Sequence, residues 1–348
     1  MAIEVCQPSS VWVFINYLTF AFFLLGTVSV TTYFLPVLFQ WVSSEQDLKK
    51  KYQAKWALVT GTLEKLDGIG QSADSIKGGS SGIGLKIAEK CAKQGISVCI
   101  AALDDHLLKK SLETLKATYK NVEFRGVGVD LSSSEFMTKL GDATRDIEIT
   151  LIFNNAGYIK PGFFHTSSVG SLLANYNVNA TACLHITHHF LQLMVARGQR
   201  GLICFTSSAS GFIPNPMSAI YGSTKAFVTS FAASLAPEIK ELGIDVVVLH
   251  PSPVDTNFYQ SSENSALSAL RFFRKTATTP EHVVSELFKA PGRSIMVDQG
   301  YFSIVTKLIL KILDWNLLAN IMTHMIKTNG DYKAFKAEDE KKKKAKAL

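Results

Sequence analysis

The hydropathy pattern divides the chain into three parts. Between Glu4 and Glu45 no side chain is charged, and Val11 to Leu35 reads VWVFINYLTFAFFLLGTVSVTTYFL, apolar around the whole helical circumference. About 20 such residues cross a hydrocarbon core as a helix, so the pattern predicts a transmembrane helix within an anchor of residues 1–45. A cleaved secretory signal would have a basic start and an apolar core of about 7–15 residues. From residue 55, short apolar runs alternate with helical stretches, the pattern of βαβ units around a parallel sheet. Strands are predicted at 55–60, 97–102, 122–129, 149–153, 201–206 and 245–249, and helices at 85–94, 171–196 and 220–242. They define an α/β domain over 55–290. A C-terminal amphipathic helical region, 291–335, follows. Its stretch 301–326 is apolar at helical spacing, with Lys307, Lys311 and Asp314 on one stripe. Such a helix lies in a membrane interface or packs on the core. Residues 336–348 form a lysine-rich tail.

Charge adds a direction to this picture. The formal net charge is +7 over 348 residues, and five of the last eight residues are lysines. No basic stripe interleaved with aromatics runs through the middle of the chain, so nucleic acid is not an expected partner. Lys49, Lys50, Lys51 and Lys55 follow the apolar span and no Lys or Arg precedes it. The excess of cations on one flank puts the C-terminal side in the cytosol. The end of the chain, Lys344-Ala-Lys346-Ala-Leu348, resembles the dilysine retrieval signal of endoplasmic reticulum membrane proteins. Together these predict an endoplasmic reticulum membrane protein whose domain faces the cytosol. Cys6, Cys91, Cys99, Cys183 and Cys204 form no CxxC pair and no zinc-like spacing, and read as reduced thiols. His185, His188 and His189 read as a partly exposed helix face, and no metal is expected.

The candidate chemistry lies in the middle part. A glycine loop, Gly78-Gly79-Ser80-Ser81-Gly82-Ile83-Gly84, precedes a helix. Glycines let a backbone turn tightly and approach a pyrophosphate at the helix N-terminus. Asn154-Asn155-Ala156-Gly157 follows a strand, Asn177-Val178-Asn179 lies in a helix, and Ser208 follows another strand. Thirteen residues after Ser208 stands Tyr221, in Tyr-Gly-Ser-Thr-Lys225. Tyr and Lys four apart share a helical face. An ammonium beside a phenol favours phenolate and lowers its pKa, which suits acid–base chemistry near neutral pH.

From about residue 55 to 290 the chain resembles the short-chain dehydrogenase/reductase family, whose pattern is TGxxxGxG, NNAG, a helix Asn, Ser and YxxxK. The resemblance implies a Rossmann-like doubly wound parallel sheet and an NAD(P)-dependent oxidoreductase. It implies that Tyr221 gives a proton to a substrate carbonyl, Ser208 positions that oxygen, and Lys225 holds the nicotinamide ribose. Asn179 would support a proton relay through water. Gly61, Gly79, Ser80, Ser81, Gly82, Ile83, Gly84, Asn155, Ala156 and Gly157 would shape the cofactor cleft, with Asp130 at the adenine. Pro251, Val254 and Thr256 match the family segment beside the nicotinamide, with Ser252 in place of the usual glycine. Family members often pair through the helices carrying Asn179 and Tyr221, which implies a homodimer.

Two departures qualify the match. Thr62 to Gly78 separates Thr60-Gly61 from the glycine loop; without those 17 residues the chain reads WALVTGGSSGIG. The segment is either a retained intron translated in frame or a loop that bulges from the site. If it covered the site, the chain would be a membrane scaffold without catalysis. After the second strand the chain reads Ala101-Ala102-Leu103-Asp104-Asp105, with no arginine for a 2′-phosphate and aspartates late for ribose hydroxyls. NADP is the expected cofactor, by analogy with cytosol-facing members, with NAD as alternative. The anchor implies a lipid substrate. Resemblance to 3-ketodihydrosphingosine reductases puts a 3-ketosphingoid base first, ahead of very-long-chain 3-oxoacyl-CoA and 17-keto steroids. Residues 258–275 would form a lid, with Leu267, Leu270, Phe272 and Phe273 on its apolar face and Arg271, Arg274 and Lys275 available to headgroups or CoA phosphates.

Overall fold

The computed structural model describes residues 10–61, 82–256 and 277–347. The segment 62–78, the loop residues Gly79, Ser80 and Ser81, and the expected lid lie outside the described residues, as does the Lys346 side chain.

Seven parallel strands form one sheet in the order β3-β2-β1-β4-β5-β6-β7. They are β1 (Trp56–Thr60), β2 (Ser97–Ala102), β3 (Phe124–Gly128), β4 (Ile149–Asn154), β5 (Gly201–Thr206), β6 (Ile244–Pro251) and β7 (Met296–Gln299). The central strands are buried on both faces, which is why they read as continuous apolar runs. Their alternate residues feed two cores. Ala57 and Val59 face one, with α3 (Ile83–Lys93) and α4 (His106–Thr118). Trp56 and Leu58 face the other, with α5 (Phe136–Ala143) and two long helices described next.

The helix predicted at 171–196 is continuous but not uniform. It comprises α6 (Val169–Tyr176), a π-helical turn at Asn177–Thr181, and α7 (Ala182–Ala196). The next, α8 (Ala219–Ile239), carries Tyr221 and Lys225 on its buried face. The sheet also runs past residue 290. α9 (Pro280–Lys289) packs on the first core, with Phe288 stacked on Phe153 at 6.0 Å, and leads into β7. Four residues ending in Asp-Gln carry too little alternation to read as a strand; pairing with β6 makes them one.

Two helices occupy the stretch expected as one: α10 (Tyr301–Ile312) and α11 (Trp315–Met325). Asp314 lies between them and caps α11, accepting from Asn316 N and Leu317 N, so it ends one helix and starts the next rather than joining a stripe. The lysine-rich tail is helical, within α12 (Gly330–Ala347), and Tyr332 and Phe335 pack on Phe163.

The N-terminal α1 (Ser10–Val42) is long and apolar enough to cross a membrane, and none of its most apolar window is buried against the protein. Its last turns dock on the domain: Gln40 is buried and donates to Glu286 O at 2.6 Å. The short α2 (Leu48–Tyr52) follows, and the lysines after the span are partly used as structure. Lys49 donates to Gly95 O, and Lys51 pairs with Asp245 at 3.4 Å. Asp245 also accepts from Tyr52 at 2.5 Å and pairs with Lys240 at 2.6 Å. Burial works against its charge, but these three partners prevail and hold its pKa below the ordinary carboxylate value. Its contribution is therefore present above the unfolded value and lost as pH falls through the lower folded one. Replacing Asp245 with Ala should destabilise the domain by about 3 kcal/mol, because it strands a buried phenol and a half-buried ammonium. Thermal melts from pH 3 to 7 should show the acid-side loss shrinking in Asp245→Asn.

Candidate active site

In a sheet of this order the chain winds outward from β1 in both directions, and a crevice opens where β1 and β4 end side by side. Thr60 closes β1 and is buried; its Oγ1 accepts from Asn155 N and Ala156 N, each at 2.9 Å. Asn155 returns a bond to Thr60 O and accepts from Thr206 on β5. The turn after β4 is thus tied to both neighbouring strands. At the start of α3, Gly82 supplies no side-chain cap, so backbone N–H groups there remain open to an anion. A Cβ on Gly84 would lie 2.8 Å from Asn155 Nδ2, so only glycine lets α3 approach this closely. Gly84 therefore lies against Asn155, in the first turn of the helix that Gly82 and Ile83 begin, while Gly61 follows Thr60.

The next layer is deeper. Lys225 is buried and donates to Thr206 O at 2.8 Å, with its ammonium 5.7 Å from the Tyr221 ring centre. A Cβ on Gly157 would come within 3.0 Å of that ammonium and 3.2 Å of Asn179 Oδ1. Asn179 sits in the π-helical turn, a distortion frequent at functional sites. Its Oδ1 accepts from Tyr158 N, while its Nδ2 donates to Tyr158 O and Thr224 Oγ1. Both amide protons are committed, so the Asn179 side chain holds the strand-end turn in place.

Ser208 follows β5, accepts from Ser210 N at 3.1 Å and hydrogen-bonds the Tyr221 hydroxyl. Burial pushes Tyr221 up to about 12, and the Ser208 bond only partly offsets it. The lowering expected from Lys225 is absent because that ammonium is turned to Thr206 O and is itself desolvated, which pulls it down to about 8. Tyr221 is thus a protonated phenol at neutral pH, suited to giving a proton.

Residues 75–266, more than half the chain, match the family model for short chain dehydrogenase. This chain belongs to the short-chain dehydrogenase/reductase family. The match begins beyond β1 and beyond most of the Thr62 to Gly78 segment. The very-long-chain 3-oxoacyl-CoA reductase-A of Danio rerio is 33% identical, over 75% of this chain and 74% of its own. A 7β-hydroxysteroid dehydrogenase structure aligns with TM-score 0.64 at 23% identity, covering 77% of this chain and 95% of that one. A short-chain dehydrogenase from Sphingobium yanoikuyae, in complex with NADPH, aligns with TM-score 0.58 at 23% identity, covering 70% and 87%.

Among the remaining residues expected from the family pattern, Pro251 closes β6, and Val254 and Thr256 are buried just after it. Asp130 is exposed after β3 and accepts from Ser132 N and Oγ. Asp105 caps α4 through Leu107 N and Leu108 N, which leaves Asp104 as the exposed carboxylate beyond β2. Ser252, in the position where the family has glycine, has a use of its own. Its Oγ accepts from Ser303 N in the first turn of α10, and Gly300 gives it room. His185 and His189 pack edge-on against Phe136 and Phe190.

Sequence reasoning missed a buried polar chain that leads from the anchor to α8. Tyr33 on α1 donates to Asp298 Oδ2 at 3.1 Å, and Asp298 Oδ1 meets His250 Nδ1 at 2.8 Å. Burial lowers the His250 pKa, and the hydrogen bond and charge of Asp298 only partly offset it. Nε2 lies 3.0 Å from Thr229 Oγ1, which donates to Lys225 O at 2.9 Å, and Ser207 Oγ, 2.9 Å from Thr229, donates to the same carbonyl. Partners up to 265 residues apart leave no local signal.

Because the folded-state pKa of Lys225 lies below its unfolded value near 10.5, the unfolded chain binds the proton more readily between those values. Stability conferred at this site therefore rises with pH from about 8 to 10.5. Lys225→Met should remove that rise, up to about 3 kcal/mol; denaturant midpoints of both forms at pH 7.5 and pH 10 measure it.

Proposed function

We propose that this protein reduces a ketone on a long-chain lipid with NAD(P)H. The observation that carries the reading is the hydrogen-bonded Ser208–Tyr221 hydroxyl pair beside the buried Lys225, on a domain whose first helix can enter a bilayer. Gly61, Gly79, Ser80, Ser81, Gly82, Ile83 and Gly84 would hold the pyrophosphate, and Asn155, Ala156, Gly157, Pro251, Val254 and Thr256 the nicotinamide half. The open N-terminus of α3 and the glycine-dependent approach of α3 to Asn155 fit such a ligand. When bound, the nicotinamide supplies hydride.

The chain's own residues do the rest. Tyr221 Oη–H gives its proton to the substrate oxygen as that oxygen gains charge. Ser208 Oγ–H donates to the same oxygen and fixes its place. The Lys225 ammonium meets ribose hydroxyls and, as Tyr221 becomes phenolate, supplies the opposite charge nearby. Asn179 keeps the turn at Tyr158 from shifting under them. Asp130 would lie at the adenine. NADPH is the expected donor, by analogy with cytosol-facing members of the family.

Among substrates, a very-long-chain 3-oxoacyl thioester ranks ahead of the 3-ketosphingoid base put first by sequence resemblance. The support is the 3-oxoacyl-CoA reductase whose sequence matches three quarters of this chain. The protein works at the endoplasmic reticulum membrane with its domain in the cytosol, the side of Lys49, Lys50 and Lys55. It forms a homodimer through α7 and α8, where Leu184 and Phe227 are exposed.

Tyr221→Phe should lower kcat for 3-oxoacyl-CoA reduction about 10²–10⁴-fold, the usual worth of a positioned proton donor, while NADPH binding stays unchanged. If 3-ketosphingoid bases turn over faster than 3-oxoacyl thioesters, the substrate order reverses. NADPH binding to the full chain and to a form lacking Thr62 to Gly78 tests the interrupted cradle. We expect tighter binding after deletion. Equal binding makes the segment a tolerated loop, and no binding by either form favours the scaffold reading.

A further inference from the structure

Two turns carry the reactive groups, and one buried residue touches both. Ser208 opens the turn that ends at Phe212, and Lys225 stands one helical turn before Thr229 on α8. His250, on β6, has no exposed surface. Its ring packs edge-on against Phe212, with ring centres 4.5 Å apart, and its Nε2 lies 3.0 Å from Thr229 Oγ1. The two turns are also joined directly. Ser207 N donates to Leu249 O, next to His250, and Ser207 Oγ donates to Lys225 O at 2.7 Å. A shift of His250 would therefore move Ser208 and Lys225 relative to each other.

Asp298, on β7, faces the other ring nitrogen, with its Oδ1 2.8 Å from Nδ1. Packing alone gives no reason for such a pair, because buried ionisable partners are commonly no more stable than carbon filling the same space. Two further groups face the pair. Tyr33 from α1 donates to Asp298 Oδ2. Lys307 from α10 lies over the Phe212 ring at 3.7 Å, and its charge reaches His250 and Asp298, with Lys311 behind it. On the α8 side the Lys225 ammonium points to Thr206 O.

Each hydroxyl in this network has one proton to give. Thr229 Oγ1 donates to Lys225 O at 2.9 Å, which satisfies His250 Nε2 only if that nitrogen carries a proton of its own. When Nε2 is bare, Thr229 turns its proton to the ring, and Lys225 O keeps Ser207 as its side-chain donor. One proton lies between Nδ1 and Asp298 Oδ1 in either case, so the two arrangements differ by one proton on the pair.

We propose that His250, held by Asp298, is a positioning residue for the Ser208–Tyr221–Lys225 group, and that one proton on this pair tightens or loosens the Lys225 turn. With the proton, Thr229 and Ser207 both hold Lys225 O; without it, Ser207 holds it alone. The inference rests on the reading of the site as a ketone reductase.

The test measures kcat and KM per folded chain for the full protein in mild detergent, with NADPH and 3-oxostearoyl-CoA, between about pH 5 and 8, where imidazoles titrate. Burial and Lys307 lower the His250 pKa more than Asp298 raises it, so the step should be centred below the ordinary value near 6.5. Wild-type kcat should fall about tenfold as pH rises through that step, the worth of one hydrogen bond. Lys307→Met removes a cation beside the pair and should move the step to higher pH. Thr229→Val should abolish it and fix kcat at the lower value, with KM for the thioester unchanged. His250→Leu should do the same, and the double variant should lose no more than either single one, since both cut one chain. His250→Gln keeps an N–H for Thr229 and should restore the higher kcat without a step. Thermal melts show which variants fold; if His250→Leu does not, Thr229→Val and Lys307→Met still decide. A wild-type profile without the step, a step that survives Thr229→Val or stays in place in Lys307→Met, additive losses in the double variant, or variants that lower only Tm would each overturn the proposal. A wild-type chain that reduces neither 3-oxostearoyl-CoA nor a 3-ketosphingoid base refutes the reductase reading itself, and the positioning role with it.

Discussion

Thr60 is the point on which the rest of the site depends. One buried hydroxyl receives the backbone N–H groups of Asn155 and Ala156 and so locks the end of β1 to the turn after β4. Parallel strands that wind apart from this point must leave a crevice above it. The lock sets how closely α3 can approach, and Gly84 permits the approach. It also fixes Asn155, whose Oδ1 accepts from Thr206, the residue whose carbonyl receives the Lys225 ammonium. The position of Lys225 is thus referred back to β1 through three hydrogen bonds.

Burial then decides the protonation states. Lys225 and Tyr221 lie within the same desolvated layer, and desolvation acts on them in opposite directions. It lowers the lysine toward 8 and raises the phenol toward 12. A phenol that keeps its proton can give it to a substrate oxygen, while a lysine near its titration point responds strongly to any anion placed beside it.

The C-terminal part of the chain is bound into the same arrangement. Ser252 replaces a family glycine and receives the first turn of α10, while the Ser303 hydroxyl donates to His250 O. His250 in turn touches Asp298 and Thr229. Trp315 donates to Phe212 O, next to the turn that carries Ser208. Helices that the sequence left open between a membrane interface and the core therefore buttress the turn that carries Ser208, with α1 joining through Tyr33.

Local pattern was enough for much of this. Strands buried on both faces read as apolar runs, so β1, β2, β4 and β5 were legible nearly to the residue. The i, i+4 spacing of Tyr221 and Lys225 placed both on one face of α8, and a charge-free stretch marked α1. Other features exist only through contacts between distant segments. β7 is a strand because β6 pairs with it, and Asp314 became a helix cap because α10 turns back on the core. The pKa of Tyr221 followed burial and not its sequence neighbour, and the path from Tyr33 to Lys225 joins four separate elements. Sequence determines which groups a segment can offer through short-range periodicity; packing decides which of them lose water and meet, and desolvation sets their chemistry.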